Sequence, residues 1–279
     1  VHYWLKESIY GCGTFRAEPH IFIMTQNSNP PDSEFVAGRN PVIDLLKADP
    51  ERVAKVFLVK GTGGTLTSKL KKLARPHSIP VQIVPLVRLE RTVPGVNHQG
   101  VVAILSSARY TDVHDLLRAC GPMREDVLRD KPVVVLLDRI QDPFNFGAII
   151  RSAVASGARG VIIPDRESAP LNAAAMKSSA GAATRIPVAR TGNMLQIIEE
   201  LKERGYWIVG SDGSAEKSVW EMDFDRPLAI VIGNEEKGMR ASIANACDFK
   251  VKIPMSGPVE SLNASVAAGI ILFAAAKDR

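Results

Sequence analysis

The sequence predicts an α/β protein: a mostly parallel sheet in its C-terminal part, preceded by a smaller α/β unit. Three observations carry this expectation. Beyond residue 132, short apolar runs alternate with helical patterns, the order of a parallel sheet with crossover helices. Those runs are apolar throughout rather than at every second residue, as in strands covered on both faces. A polar and partly helical stretch of mixed charge, 108–131, separates this region from an earlier compact one and reads as a linker. A chain of 279 residues, 46% hydrophobic and 23% charged, is long enough for one large domain or two ordinary ones.

Residues 1–33 read as a disordered leader and tail. Residues 1–23 look like a translated upstream leader, and Met24 like a natural start. From residue 34 the pattern becomes regular. "GRNPVIDLL" places Asn40 as N-cap and Pro41 in the first helical position. "RVAKVFLV" reads as a strand, "GTGGT" as a loop, "LTSKLKKLA" as a helix, and "VQIVP" and "GVVAILSS" as further strands, closing a unit over 34–107. In 132–279 the order is strand "PVVVLLD", helix 147–156, strand "GVIIP", an Ala-rich helical stretch 172–183, strand "RIPVA" and helix "NMLQIIEELKERG". Strands "YWIVGS" and "LAIVIG", helix "ASIANA", strand "FKVKIP" and a final helix over 261–277 follow.

A net charge of +5 is compatible with a polyanionic partner such as RNA without requiring one. The three cysteines are far apart and have no CxxC spacing, which argues against a disulfide framework and a zinc site and for a reducing, cytoplasmic compartment. The five scattered histidines give no metal cluster, so no metal is expected. No apolar run reaches the roughly 18 residues of a membrane span. "GTGGT" lacks the spacing of a dinucleotide fingerprint and the lysine of a P-loop, which disfavours an NAD-dependent oxidoreductase.

In open parallel sheets ligands bind beyond the carboxyl ends of the strands. Three such ends carry unusual loops. In "DRIQDPFNFGAIIRSA" (138–153), Asn145 is placed to cap the helix, and Arg151 lies among Ile149, Ile150, Ala153 and Val154. A buried charge there needs an anionic partner or a water-filled cleft, whereas a snorkelling surface arginine needs neither. "IVIGNEEKGM" (230–239) is either a charged turn or a ligand loop in which Gly233 lets the backbone approach closely. In "IPMSGPVESLNASVAAGIIL" (253–272), Ser261 is placed to cap the last helix, with Asn263 and Ser265 adding polar groups to its first turns.

Taken in order over about 140 residues, these three loops resemble the motifs of the SpoU (TrmH-like) family of RNA ribose 2′-O-methyltransferases, in the SPOUT superfamily. "SSAGA" (178–182) fits the same pattern, and the region containing "VNHQGVVAI" resembles the ribosomal-protein-like RNA-binding domain of the RlmB-like branch. The resemblance implies a C-terminal trefoil knot and a homodimer with its site at the subunit interface. It also implies S-adenosylmethionine held at Gly233, Ile253, Leu262 and Ser261, and methylation of a guanosine ribose in large-subunit rRNA. It assigns catalytic positions to Asn145, Arg151, Glu235, Ser261 and Asn263: Arg151 on the developing oxyanion or a phosphate, Asn145 orienting the ribose or bracing the site, Glu235 positioning Arg151 or a partner backbone, and Ser261 and Asn263 ordering the cofactor loop and the ribose. A tRNA substrate, or a non-catalytic RNA-binding assembly factor, are the alternatives.

Overall fold

The computed structural model describes residues 35–259 and 261–277. The expected leader and tail lie outside them. In chain order the elements are β1 (Phe35–Ala37), α1 (Arg39–Ala48), β2 (Val53–Val59), α2 (Gly64–Ala74), β3 (Val81–Val84), α3 (Leu86–Thr92), β4 (Val101–Leu105), α4 (Val113–Cys120), α5 (Arg124–Asp130) and β5 (Val133–Asp138). There follow α6 (Pro143–Ala155), β6 (Gly160–Pro164), α7 (Ala173–Ser178), β7 (Val188–Thr191), α8 (Met194–Glu203), β8 (Trp207–Ser211), β9 (Leu228–Gly233), α9 (Ala241–Ala246), β10 (Phe249–Val251) and α10 (Ala264–Ala276).

Two sheets result. The first is four-stranded, in the order β1-β4-β2-β3, with β2 and β3 parallel and the other pairs antiparallel. Val42, Leu46, Val56, Leu58 and Leu70 fill the space between it and helices α1 and α2. On its other face Leu89 of α3 packs with Phe57 and Val102. The second sheet has six strands, all parallel, in the order β10-β8-β9-β5-β6-β7. Its central strands β5, β6 and β9 are buried at every position. That burial explains their unbroken apolar sequence. Helices α6, α7 and α10 cover one face through Phe146, Ile149, Ile150, Ala175, Ala268 and Ile271. Helices α4, α5, α8 and α9 cover the other through Leu116, Val127, Ile198 and Ile243.

Four local expectations need correction. Residues 108–131, expected as a partly helical connector, also belong to the second sheet's core: Thr111 bridges to Ala189 of β7, and Leu116, Leu117 and Val127 are buried there. Apolar residues recurring every three to four positions among the charges give α4 and α5 a face to bury. Helix α1 begins at Arg39 after Gly38, so Asn40 lies inside it rather than capping it. Helix α6 starts at Pro143, and its cap is Asp142, whose carboxylate accepts from the Phe144 and Asn145 N–H groups. Helix α10 is capped by Asn263, whose Oδ1 accepts from the N–H groups of Ser265 and Val266; Ser261 lies outside the helix. In both helices the residue whose oxygen reaches the free N–H groups two and three positions on takes the cap.

Candidate active site

Because all six strands of the second sheet run the same way, their carboxyl ends share one edge. The loops after β5, β9 and β10 meet there. Asp138 closes β5 fully buried and pairs in register with Gly233 at the end of β9. A buried carboxylate needs partners. Arg240 supplies them: its backbone N–H donates to Asp138 Oδ2 at 2.7 Å, and its Nε and Nη2 both lie 2.7 Å from Oδ1. This ion pair ties the far end of the β9 loop back to β5. Arg139 follows with φ of 64°, a left-handed backbone uncommon without glycine. Its carbonyl accepts from Asn234 Nδ2 at 3.1 Å.

The β9 loop itself is a closed turn. The Asn234 and Gly238 N–H groups and carbonyls bond reciprocally at 3.0 and 2.9 Å, while Asn234 Oδ1 accepts from the N–H groups of Glu236 and Lys237. A Cβ on Gly233 would fall 2.4 Å from both the Gly238 carbonyl carbon and the Met239 nitrogen. Glycine is therefore demanded here by the loop folding onto its own strand.

This turn presents Glu235, around which two of the expected residues, Asn145 and Asn263, gather. Glu235 Oε1 accepts from Asn145 Nδ2, from Asn263 Nδ2 at 2.7 Å and from the Ala264 N–H at 3.4 Å. Asn263 Nδ2 also donates to Asn145 Oδ1 at 3.0 Å. One carboxylate thus joins the N-terminal ends of α6 and α10, whose partial positive charge favours an anion. Gly147 lets α7 pass against α6: a Cβ there would meet the Ala175 carbonyl at 2.4 Å. Ser178 of α7 then donates to the Phe144 carbonyl at 2.6 Å.

Arg151 does not join this cluster. Of the two readings its apolar neighbours left open, the surface arginine holds: it is exposed, and makes no hydrogen bond or ion pair among the described residues. Phe146, Ile149, Ile150 and Ala153 take the inward face of α6, and Arg151 falls on the outward stripe with Phe144, Ala148 and Ala155. Six residues from Asn145, it stands about 9 Å along the axis and on another side of the helix. Glu235 bonds the two asparagines and not Arg151. Ser261 is exposed, without a hydrogen bond among the described residues, whereas Ile253 and Leu262 are partly buried beside the cluster's loops. Asp138, Arg139, Asn234 and Arg240 were not singled out from sequence. The signal for the first was present: an aspartate ending a fully apolar strand demands a cation.

A parallel sheet with a polar cluster assembled on loops at its carboxyl edge defines an α/β protein of the kind that takes its ligand beyond the strand ends. Residues 132–273 match the SpoU rRNA methylase family, and residues 35–111 match the RNA 2′-O ribose methyltransferase substrate-binding family. The chain belongs to the SpoU rRNA methylase family and is an RNA methyltransferase. It is 41% identical over 240 residues to YacO of Bacillus subtilis, whose name places it in the TrmH family of tRNA/rRNA methyltransferases; the match covers 86% of this chain and 94% of that protein. It is 37% identical to the 23S rRNA (guanosine-2′-O-)-methyltransferase RlmB of Xylella fastidiosa, over 88% of this chain and 97% of the relative. Among solved structures, the SpoU methyltransferase AviRb of Streptomyces viridochromogenes in complex with AdoMet is similar with a TM-score of 0.55. The identity is 25%, over 88% of this chain and 90% of that one.

Proposed function

We propose that the protein methylates the 2′-hydroxyl of a guanosine ribose in large-subunit rRNA, with S-adenosylmethionine as donor and a homodimer as the working form. The observation that carries the reading is the joining of Asn145, Glu235 and Asn263, one from each loop, into a single bonded cluster. The relatives acting on a 23S rRNA guanosine span nearly their whole length in the match, which favours rRNA over tRNA.

The residues at the strand ends fit the donor. Between Ile253 and Leu262 the main chain forms no backbone–backbone hydrogen bond among the described residues, which leaves N–H and C=O groups to read a ligand's polar edges. Gly233, Ile253, Leu262 and Ser261 would hold it there. When bound, S-adenosylmethionine supplies an already activated sulfonium methyl group.

The chain's own part is to hold the ribose oxygen in line and to favour its negative charge. Asn145 has both amide atoms committed within the cluster, so its role is to brace the loops. Asn263 does the same while capping α10. Arg151 brings a planar guanidinium with five N–H donors and no acceptor. It is suited to steer a phosphate or to stabilise charge developing on the 2′-oxygen.

Two features support the dimer. Arg151 and the polar cluster face different directions within one chain. The outward stripe of α6 lies beside a second apolar stripe on α10, with Val266 49% and Phe273 54% exposed and Phe144 of α6 60% exposed. Such a patch marks an interaction surface, and a second copy seated on it would bring an Arg151 to the other copy's cluster. The knot is supported by the path of the last helix. After the edge strand β10 the chain returns across β8 and β9 to pack α10 on α6.

The test is label transfer from S-adenosylmethionine to protein-free 23S rRNA, with bulk tRNA in parallel and alkali-resistant dinucleotides mapped. Label at one guanosine ribose of the rRNA is expected. Label in tRNA alone would overturn the substrate, and label on a base would overturn the chemistry.

A further inference from the structure

The same carboxyl edge holds a second feature, away from the methyl-transfer cluster. Beyond the ends of β6 and β7 lies a cleft of about 670 Å³. One wall comes from the second sheet, through Asp165, Arg166, Asn193 and Gln196, and the other from the first domain, through the end of α2 and the turn that follows it, with Lys71, Arg75 and His77.

Arg190 forms the floor, 6% exposed. Its Nη1 donates to the Ala54 carbonyl of β2 at 2.8 Å, and its guanidinium lies 4.0 Å from the centre of the Tyr110 ring. Its Nε is buried without a hydrogen-bond partner among the described residues. A buried guanidinium with donors unspent is costly unless an acceptor meets it.

The acids around the cleft do not fill that need. Asp112 is committed to capping α4 through the His114 and Asp115 N–H groups. Glu51 pairs with Arg109 at 3.7 Å. Asp165 makes no ion pair among the described residues; burial pushes its carboxyl upward, against the pull of Arg166 and Arg190. Lys71, Arg75 and Arg166 likewise make no ion pair among the described residues. Between these cations stand two side-chain amides. Asn193 spends its Oδ1 on the Gln196 N–H, which leaves its Nδ2, and the Gln196 carboxamide is unbonded among the described residues.

We infer that this interdomain cleft is a site for the sugar–phosphate backbone of single-stranded RNA, with Lys71 and Arg75 on one wall, Arg166 on the other and Arg190 at the floor contacting successive phosphates. Cations on two facing walls suit a run of phosphates better than the single terminal cluster of a free nucleotide. The Asn193 Nδ2 and the Gln196 carboxamide offer hydrogen bonds to base edges. The cleft also lies in register with the methyl-transfer cluster. In the strand order β9-β5-β6-β7, the β7 end is two strand spacings from the β5 end, about 10 Å. One strand of RNA laid along the edge spans both, so the cleft would hold the substrate beside the nucleotide being methylated. The inference rests on the reading that RNA is the substrate.

The experiment uses the full chain with the exposed cations reversed, Lys71→Glu, Arg75→Glu and Arg166→Glu together, against a matched control with Lys47→Glu, Arg91→Glu and Arg118→Glu. The probe is a short fluorescein-labelled single-stranded RNA of mixed sequence, with guanosine monophosphate as competitor. The cleft variant is expected to bind at least about tenfold more weakly, with the slope of log K against log salt reduced by about 2, the loss of three single-strand phosphate contacts. The control is expected to keep most of its affinity, and S-adenosylmethionine affinity to stay unchanged in both. Equal losses in the two variants would overturn the site in favour of generic charge. Competition by guanosine monophosphate as effective as by the RNA would assign the cleft to a free nucleotide and overturn the RNA site. Retained RNA affinity in the cleft variant would overturn this inference alone. No RNA binding by the unaltered protein, with S-adenosylmethionine still bound, would overturn the RNA substrate itself.

Discussion

Asn263 Nδ2 lies 2.7 Å from Glu235 Oε1 while the same residue's Oδ1 caps α10, so one side chain both starts a helix and joins two loops. The two jobs are separable by substitution. Asn263→Ala loses both, and about 1 kcal/mol of stability is expected to go with the cap. Asn263→Ser keeps a capping oxygen and loses the amide donor. Urea unfolding is expected to place the serine variant near the parent, while its methyl transfer falls with that of the alanine variant.

Arg151 is the opposite case, a residue the fold does not use. On an exposed helix face, Arg151→Ala is expected to change stability by no more than about 0.5 kcal/mol. Transfer to RNA is expected to fall about 10²- to 10³-fold, the scale on which one electrostatic stabiliser acts. Near-normal turnover in the folded variant would remove Arg151 from the chemistry.

Gly233→Ala places a methyl group where the Gly238–Met239 peptide already sits. The turn must shift, at a cost of about 1–3 kcal/mol. Because the turn carries Glu235, S-adenosylmethionine binding is expected to weaken too, which calorimetry of the folded variant checks.

Asp138→Ala leaves the Arg240 guanidinium without its carboxylate. Removing one partner of such a pair is expected to cost about 3 kcal/mol, read as a lowered midpoint in thermal or urea unfolding. Asp138→Asn, which keeps the shape and one acceptor, is expected to lose less.

The thiols give a pH-dependent prediction. Burial, reinforced by the neighbouring Asp248 carboxylate, pushes Cys247 up to about 11, and burial raises Cys120 as well. A thiol whose folded value lies above its unfolded one stabilises the fold fully below the unfolded value, and that contribution fades as pH rises through the folded value. For Cys247 the window runs from about pH 9 to about pH 11, so a decline in stability is expected there and should shrink in Cys247→Ser. At pH 8 both thiols are expected to resist alkylation until denaturant is added, as mass spectrometry would register.

How much of this was legible in the sequence follows from which residues act locally. β5, β6 and β9 could be read because burial on both faces writes itself as an unbroken apolar run. The three-residue β1 and the short α3 could not, since β1 exists by pairing with β4 and α3 by seating Leu89 on Phe57. The helix starts were located to within a few residues, but their caps were misassigned. "QDPFN" and "SLN" each hold more than one side chain able to cap, and only backbone geometry chooses Asp142 and Asn263. The cluster residues Asn145, Glu235 and Asn263 were visible through resemblance, and their mutual bonding was not, because it joins loops from three separate strand ends. The cleft above Arg190 shows in the sequence only as the basic run "SKLKKLARPH", which reads as a solvated helix face more readily than as an RNA contact; that Lys71 and Arg75 face Arg166 and Arg190 is decided where two domains meet.

The bonds of the Glu235 cluster close over sequence separations of 28, 90 and 118 residues. Contacts so distant along the chain are paid for in loop-closure entropy before they return anything. They form only when the strands that set them side by side are already in place. Refolding should therefore regain helical signal well before it regains the ability to retain the methyl donor. Donor binding then reports completion of the whole second sheet rather than of any segment of it. A ligand taken up only by that finished state raises the free energy of unfolding for the entire unit.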